Sequence, residues 1–80
     1  MSDILDRLQP VFRDVLDQPS LQVTREANAR TVSGWDSLAH ITLISVVEGE
    51  FGVRFALGEL EELKNVGDMV DLIATKLATR

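Results

Sequence analysis

The chain has 80 residues, 45% of them hydrophobic, and a formal net charge of −5. This length fits one small domain and excludes a large catalytic barrel or a doubly wound sheet, while the hydrophobic content predicts a folded core. The acidic charge argues against nucleic acid as a partner, since binding to phosphate backbones depends on clustered basic residues.

The first predicted element is a helix from Ser2, because apolar residues recur from there at helical spacing. Pro10 lies inside this pattern and removes a backbone hydrogen bond, so we expect a kink or two half-helices. Gln18 precedes Pro19, a position that disfavours helical backbone and predicts the end of the segment. The apolar stripe of this helix comprises Ile4, Leu5, Leu8, Phe12, Val15 and Leu16.

Residues 20–35 have no sustained periodicity and predict a long ordered loop. We expect Leu21, Val23 and Val32 to pin it to the core. Loops of this length are uncommon in compact domains and often serve function. Trp35 at its end is interpreted as a core anchor, because large aromatic side chains dominate the buried area of small domains.

A second helix is predicted from Ser37 to Phe51, with Asp36 as its N-cap and Gly52 ending it in the left-handed conformation. Its core face comprises His40, Leu43, Ile44, Val47 and Phe51. A second set with the same spacing, which we call the outer strip, comprises Leu38, Ile41, Thr42, Ser45 and Gly49. The strip is either a contact surface or a set of singly exposed residues of the kind found on any protein.

Two further helices follow a turn at residues 52–56. Residues 58–63 predict a short helix with Leu60 and Leu63 facing inward, no strong cap at Ala56 or Leu57, and the lowest stability of all the elements. A last helix is expected to begin at Asn65, with Asp68 in its first turn. Its buried stripe comprises Val66, Val70, Ile73 and Leu77. The predicted architecture is all-α, a small four-helix bundle of three main helices and one short helix.

Catalytic chemistry has few candidate groups. The chain has no cysteine and one histidine, so thiol chemistry and metal sites built from cysteine or several histidines are excluded. A serine hydrolase would use Ser37, His40 and Asp36, but the sequence lacks the second glycine of a nucleophile elbow and a strand leading into it. His40 is therefore interpreted as a packed core residue. The acidic residues Glu59, Glu61 and Glu62 lack calcium-loop spacing and are expected to form a solvated face.

Ser37 has two interpretations at this point. It is either an ordinary hydroxyl in the first turn of a capped helix or the site of an anionic adduct, because helix N-termini favour phosphate esters. The N-terminus has no basic leader pattern, and no apolar run reaches the length of a membrane span. We therefore expect a cytoplasmic protein.

The segment Asp36-Ser37-Leu38, with Gly34-Trp35 before it, resembles the acyl carrier proteins. The resemblance extends over the whole order of predicted helices and includes a characteristic run after the second helix begins. That run comprises Glu48, Glu50, Phe51, Gly52, Val53 and Phe55.

The resemblance implies that Ser37 accepts a 4′-phosphopantetheine arm from coenzyme A, transferred by a separate magnesium-dependent phosphopantetheinyl transferase. The arm would supply the thiol that the chain lacks and hold acyl or aminoacyl cargo as thioesters, while the monomeric protein itself would catalyse nothing. Asp36 and Leu38 would be read by the transferase. A loading ligase and downstream synthases or transferases would dock on a surface comprising Leu38, Ile41, Thr42, Ser45 and Glu48. The core face could open to shelter an apolar chain among Leu43, Ile44, Val47, Phe55 and Leu60.

The sequence departs from the fatty-acid-synthesis carriers along the second helix. Ala39, Thr42 and Gly49 occupy positions where those carriers often have acids. We therefore expect weaker docking by charge and a specialised pathway making a secondary metabolite, a modified lipid or an aminoacyl product. The alternative is a helical interaction module that has kept the carrier shape without being modified.

Overall fold

The computed structural model describes residues 3–79, so Met1, Ser2 and Arg80 lie outside the described part of the chain. Within it are four helices and no strand: α1 Asp3–Val15, α2 Ser37–Phe51, α3 Leu57–Glu61 and α4 Val66–Ala78. The helix α1 packs against α2 and α4. The predicted all-α bundle of three main helices and one short helix is confirmed.

The helix α1 differs from its prediction at two places. It runs without interruption through Pro10, so the two half-helices do not form. Pro10 and Asp6 are both exposed, and water can therefore bond the Asp6 carbonyl that the missing N–H leaves free. The helix also ends at Val15, before the predicted stop at Gln18-Pro19.

The early end of α1 is a Schellman motif. Asp17 has a φ of 53°, and its N–H donates to the Asp14 carbonyl at 3.3 Å. The Gln18 N–H donates to the Arg13 carbonyl at 3.0 Å. These are the two bonds that close a helix through a left-handed residue, a conformation that aspartate tolerates better than most residues.

The core is formed by side chains from the three long helices and from the loop between α1 and α2. Val23 and Val32 are buried and Leu21 is half-buried, so the prediction that they pin the loop is confirmed. The N–H groups of Val66 and Gly67 also donate to loop carbonyls, which ties the start of α4 to this segment. The buried hydrophobic residues are Leu8, Val11, Phe12, Val23, Val32, Trp35, Leu43, Ile44, Val47, Phe51, Val53, Val66, Met69, Val70 and Ile73.

The short helix α3 has more support than its sequence predicts. The Glu59 carboxylate accepts a hydrogen bond from the Ala56 N–H at 2.7 Å, which is half of a capping box, and forms a 2.8 Å ion pair with Lys76. Ala56 itself provides no side-chain cap, as predicted, and the support comes from Glu59 inside the helix. Its predicted last residues, Glu62 and Leu63, lie outside the helix in a turn closed by bonds to the third residue back.

Candidate functional site

The N-terminus of α2 is built from a local capping interaction. Asp36 has extended backbone, and its Oδ1 accepts a hydrogen bond from the Ala39 N–H at 2.8 Å. At the other end Gly52 adopts a φ of 67°, as expected for a left-handed C-cap. Both predicted bounds of this helix are confirmed. Ser37 is therefore the first helical residue, and it is exposed to solvent.

The chain before Ser37 is fixed by a buried tryptophan. Gly34 takes a φ of 84°, which a glycine adopts without steric cost, and the turn there leads Trp35 into the core. Trp35 is only 7% exposed and meets the Phe12 ring edge to face, with 5.1 Å between centroids. The interpretation of Trp35 as a core anchor is confirmed, and the exposed hydroxyl of Ser37 follows two residues later.

His40 is held by the same tryptophan. The Trp35 indole N–H donates to His40 Nδ1 at 3.1 Å, and the two rings stack with centroids 6.0 Å apart. Partial burial lowers the pKa of His40. Since Nδ1 accepts the indole proton, the neutral ring carries its own proton on Nε2.

This arrangement does not assemble a hydrolase. In the tautomer that Trp35 selects, Nε2 is a donor and cannot take a proton from a serine. No hydrogen bond within residues 3–79 joins Ser37 to His40, and the Asp36 carboxylate caps the helix instead of orienting the imidazole. Ser37, His40 and Asp36 are neighbours without the geometry of a catalytic triad.

A surface cavity of about 510 Å³ opens beside Ser37. It lies between the end of the long loop, the first turns of α2 and the turn after α3. Three of its lining residues, Ala29, Leu63 and Lys64, were not singled out as site residues by the sequence, because their place near Ser37 depends on the packing of distant segments. The lining comprises Ala29, Trp35, Asp36, Ser37, His40, Ile41, Leu63 and Lys64.

The residues considered as shelter for an apolar chain lie elsewhere. Leu43, Ile44 and Val47 are buried in the core, and Phe55 and Leu60 are partly buried against it. None of these five lines the cavity beside Ser37. Room for a ligand next to the serine is therefore provided by the loop end and the turn after α3.

The outer strip of α2 lies at the surface. Leu38 is 74% exposed and Ile41 is 66% exposed, while Thr42 and Ser45 are also exposed. Glu48, which belongs to the expected docking surface but not to the strip, is half-buried, and its carboxylate accepts a hydrogen bond from the Phe55 N–H at 2.7 Å. Glu48 therefore stabilises the turn after α2, whatever else it contacts.

The acidic residues in and directly after α3, namely Glu59, Glu61 and Glu62, do not gather into a metal site. No group of three or more potential ligands is found among the described residues. Glu61 and Glu62 are exposed as expected, but Glu59 is engaged with Lys76, whose hydrogen bond lowers the pKa of that carboxyl. The solvated face predicted for the three glutamates is thus correct for two of them. None of the helices in residues 3–79 has the length and apolar character that a membrane span needs.

Comparison with known proteins places these features in a family context. A family model described as "Phosphopantetheine attachment site" matches residues 6–73. The chain is 35% identical to an acyl carrier protein of Saccharopolyspora erythraea, over 96% of this chain and 84% of that protein. It is also 35% identical to one of Caulobacter vibrioides, over 98% and 100% respectively.

A solved structure is similar over nearly the same range. The solution NMR structure of a holo acyl carrier protein from Geobacter metallireducens superposes with a TM-score of 0.89 at 50% sequence identity. The match covers 95% of this chain and 87% of that one. The likeness therefore extends over the four helices and over the segment that contains Ser37.

Proposed function

This chain belongs to the acyl carrier proteins of the phosphopantetheine-attachment family, and from that premise we propose that Ser37 is the residue that bears the prosthetic arm. Proteins of this family carry acyl groups for enzymes and are not enzymes themselves. The observation that carries the assignment is the position of Ser37. Its hydroxyl is exposed in the first turn of α2, beside a cavity, and forms no hydrogen bond within residues 3–79.

The local chemistry of Ser37 fits a phosphate ester. The first turn of a helix has N–H groups without helical partners, and its partial positive charge favours a bound anion. The chain has no cysteine, so the arm supplies the thiol on which cargo is held as a thioester. On modification the Ser37 oxygen forms a bond to phosphorus, the phosphoanhydride bond of coenzyme A breaks to release 3′,5′-adenosine diphosphate, and the hydroxyl proton passes to a base of the transferase.

The neighbours of Ser37 support access by a phosphopantetheinyl transferase. Asp36 caps α2 and so holds Ser37 in the first turn, while Leu38 is exposed directly beside it. Both side chains lie where an enzyme that reaches the hydroxyl would contact them. Asp36 and Leu38 are accordingly proposed as the residues that the transferase recognises.

Enzymes of acyl metabolism are the partners of this family, and the docking surface proposed for them is Leu38, Ile41, Thr42, Ser45 and Glu48. Four of these residues are uncharged and exposed, and Glu48 is already bonded to Phe55. Contact with such a surface relies on apolar area more than on charge. This favours a specialised pathway, in which a loading ligase attaches an acyl or aminoacyl group and downstream synthases or transferases consume it.

The same proposal covers the organisation of the chain. Residues 1–80 are proposed to form one carrier domain, since the family model matches residues 6–73 and one core joins the long helices. The protein is proposed to act as a monomer in the cytoplasm, where coenzyme A and the partner enzymes are available.

Intact-mass spectrometry tests the assignment of Ser37. The purified chain is incubated with coenzyme A, magnesium and a broad-specificity phosphopantetheinyl transferase, together with the variants Ser37→Ala and Ser20→Ala, since Ser20 is an exposed serine outside the proposed docking surface. The wild type and Ser20→Ala should gain one phosphopantetheine, and Ser37→Ala should gain none while keeping its helical circular dichroism. An unmodified wild-type protein, or a mass gain that survives Ser37→Ala, would overturn the proposal.

A further inference from the structure

The cavity beside Ser37 contains a positive charge that the proposed function does not use. Among the described residues that line it, Lys64 is the only basic one besides the neutral imidazole of His40. Lys64 lies between α3 and α4 and lines the same cavity as Ser37. Its backbone N–H donates to the Asp68 carboxylate at 3.1 Å, which fixes the origin of its exposed side chain.

Most other basic side chains in residues 3–79 are already engaged. Arg7, Arg25 and Lys76 form ion pairs with Glu50, Asp71 and Glu59 respectively. Arg13 donates to the Leu21 carbonyl at 2.6 Å. No ion pair within the described range includes Lys64, so its ammonium group is available to a ligand in the cavity.

Esterification of Ser37 changes the charge balance of this cavity. A phosphodiester adds one negative charge next to the Asp36 carboxylate, on a protein whose net charge is already −5. Ser37 and Lys64 line the same cavity of about 510 Å³, and charges at physiological ionic strength interact over a Debye length of ~8 Å. The ammonium group of Lys64 is carried on a flexible four-carbon side chain, which lets it approach a phosphate in that cavity.

The remaining walls fit the part of the arm that follows the phosphate. In phosphopantetheine this part is a carbon with two methyl groups, followed by a hydroxyl and an amide. Trp35, Ile41 and Leu63 offer apolar surface in the cavity, and the His40 Nε2–H is a hydrogen-bond donor without a partner in residues 3–79. Apolar walls with a few polar groups are typical of small-molecule sites.

We propose that Lys64 pairs with the phosphodiester on Ser37 and thereby seats the proximal part of the arm in this cavity. Lys64 is a positioning residue, since it touches the linkage and not the cargo. The pairing fixes where the arm leaves the protein surface and leaves the thiol end free to reach partner enzymes. This inference rests on Ser37 being the attachment site.

The test measures where the arm lies and needs no activity of a partner enzyme. Holo protein is prepared as wild type, Lys64→Ala, Lys64→Arg and Arg54→Ala, and intact mass verifies one arm on Ser37 in each. Arg54 is a matched control, because it is exposed and lines a different groove at the C-terminal end of α2. Nuclear Overhauser effects are then recorded between the two methyl groups of the arm and the rings of Trp35 and the methyls of Leu63.

We expect these effects in the wild type and in Arg54→Ala, and a two- to fivefold weakening in Lys64→Ala, about the size of a partly exposed ion pair. Lys64→Arg should restore most of the intensity. Raising the salt concentration to about 1 M should weaken the wild-type effects towards those of Lys64→Ala, because a ~3 Å Debye length screens the pair. The apo forms of all four proteins should have the same thermal midpoint.

The outcomes separate this inference from the proposed function. If no arm is added to Ser37, the proposed function fails and the cavity has no phosphodiester to bind. If the arm is added but its contacts are equal in wild type and Lys64→Ala, or fall equally in Arg54→Ala, the role of Lys64 is overturned and the assignment of Ser37 stands.

Discussion

The indole Nε1 of Trp35 lies 3.1 Å from Nδ1 of His40 and donates a hydrogen bond to it, and Ser37 lies between these two residues in the sequence. Trp35 belongs to the end of the loop, whereas His40 lies one turn inside α2. The bond therefore joins the two segments that position Ser37. It also fixes the neutral imidazole with its proton on Nε2, which is a structural role rather than a catalytic one.

A dependence of stability on pH follows from His40. Burial lowers its pKa in the folded state, so the unfolded chain binds the proton first as the pH falls through about 6.5. Stability is then fully present above that pH and decreases as the pH falls towards the lower pKa of the folded state. Protonation also removes the acceptor for the Trp35 indole, which acts in the same direction.

His40→Gln isolates this effect because the chain has one histidine. Urea denaturation at pH 7.5 and pH 5.5 should show a larger loss of unfolding free energy for the wild type than for the variant. An NMR titration of the imidazole should give a pKa below the ordinary value. A folded-state pKa at or above 6.5, or equal losses in the two proteins, would contradict the prediction.

Two glycines should respond to alanine in opposite directions. A Cβ atom at the buried Gly67 would lie 3.0 Å from the Arg25 carbonyl oxygen, in the segment where the Gly67 N–H donates to that same oxygen. Gly67→Ala should destabilise the protein by about 1–3 kcal/mol, as overpacking does. Gly49 has open space around it, so Gly49→Ala should stabilise α2 by up to about 1 kcal/mol.

Thermal and urea denaturation of the two variants checks this prediction, and each variant serves as the control for the other. A Gly67→Ala protein more stable than the wild type would mean that the loop backbone at Arg25 moves away from the added Cβ atom at little cost. A destabilised Gly49→Ala would mean that the open side of α2 is covered in the free protein.

The bounds of α2 and the start of α4 could be predicted because their signals are local. Asp36 and Asn65 each cap a helix through an N–H three residues ahead, and Gly52 needs only its own backbone freedom. The core face of α2 follows equally from spacing. The same spacing predicts the outer strip as a separate face of α2.

Features that depend on distant segments were not predictable from one sequence. Lys64 and Leu63 reach the cavity near Ser37 through packing of the turn after α3. Glu59 accepts a local hydrogen bond from the Ala56 N–H at the start of α3. Its ion pair with Lys76 in α4 is a long-range contact, which the sequence alone does not indicate. The Schellman end of α1 uses Asp17 in a conformation that residue preferences alone do not specify.

Gln9 makes a further long-range contact, and its substitution should lower the free energy of unfolding. Its side-chain amide accepts from the Val23 N–H and donates to the Val23 carbonyl, both at 2.8 Å, which attaches the loop to α1. Gln9→Ala leaves both partly buried backbone groups without this partner and should cost about 1–3 kcal/mol.

Gln9→Glu is the sharper test of the Gln9 contact. It keeps the size of the side chain and an acceptor for the N–H, but it places a carboxylate against the Val23 carbonyl. Urea denaturation should therefore show a lower free energy of unfolding for this variant as well. A Gln9→Glu protein as stable as the wild type would mean that water replaces the donated hydrogen bond without cost.

The short helix α3 should exchange its amide hydrogens faster than the other helices. It has five residues and no fully buried one, and it is held by the partly buried Leu60 and by Glu59. Few buried contacts allow a segment to open locally without global unfolding. Native-state hydrogen exchange should give the lowest protection at residues 57–61.

Glu59→Ala tests the cause of that low protection. Removing the carboxylate deletes the bond to Ala56 and the ion pair with Lys76, so protection in α3 should fall further while α4 keeps its own. Equal protection in α3 and α1 would show that packing of α3 is stronger than its burial indicates.

Two substitutions of Asp36 separate its role as the N-cap of α2 from its proposed recognition by the transferase. Asp36→Ala removes the acceptor for the Ala39 N–H and should cost about 0.5–2 kcal/mol, whereas Asp36→Asn keeps an oxygen in the same position and should cost much less. If the transferase reads the carboxylate, Asp36→Asn should be modified several times more slowly than the wild type while remaining as stable. Modification rates are followed by intact mass, with thermal midpoints measured on the same samples. Modification of Asp36→Asn at the wild-type rate would restrict Asp36 to a structural role, in which it acts on Ser37 only by holding it in the first turn of α2.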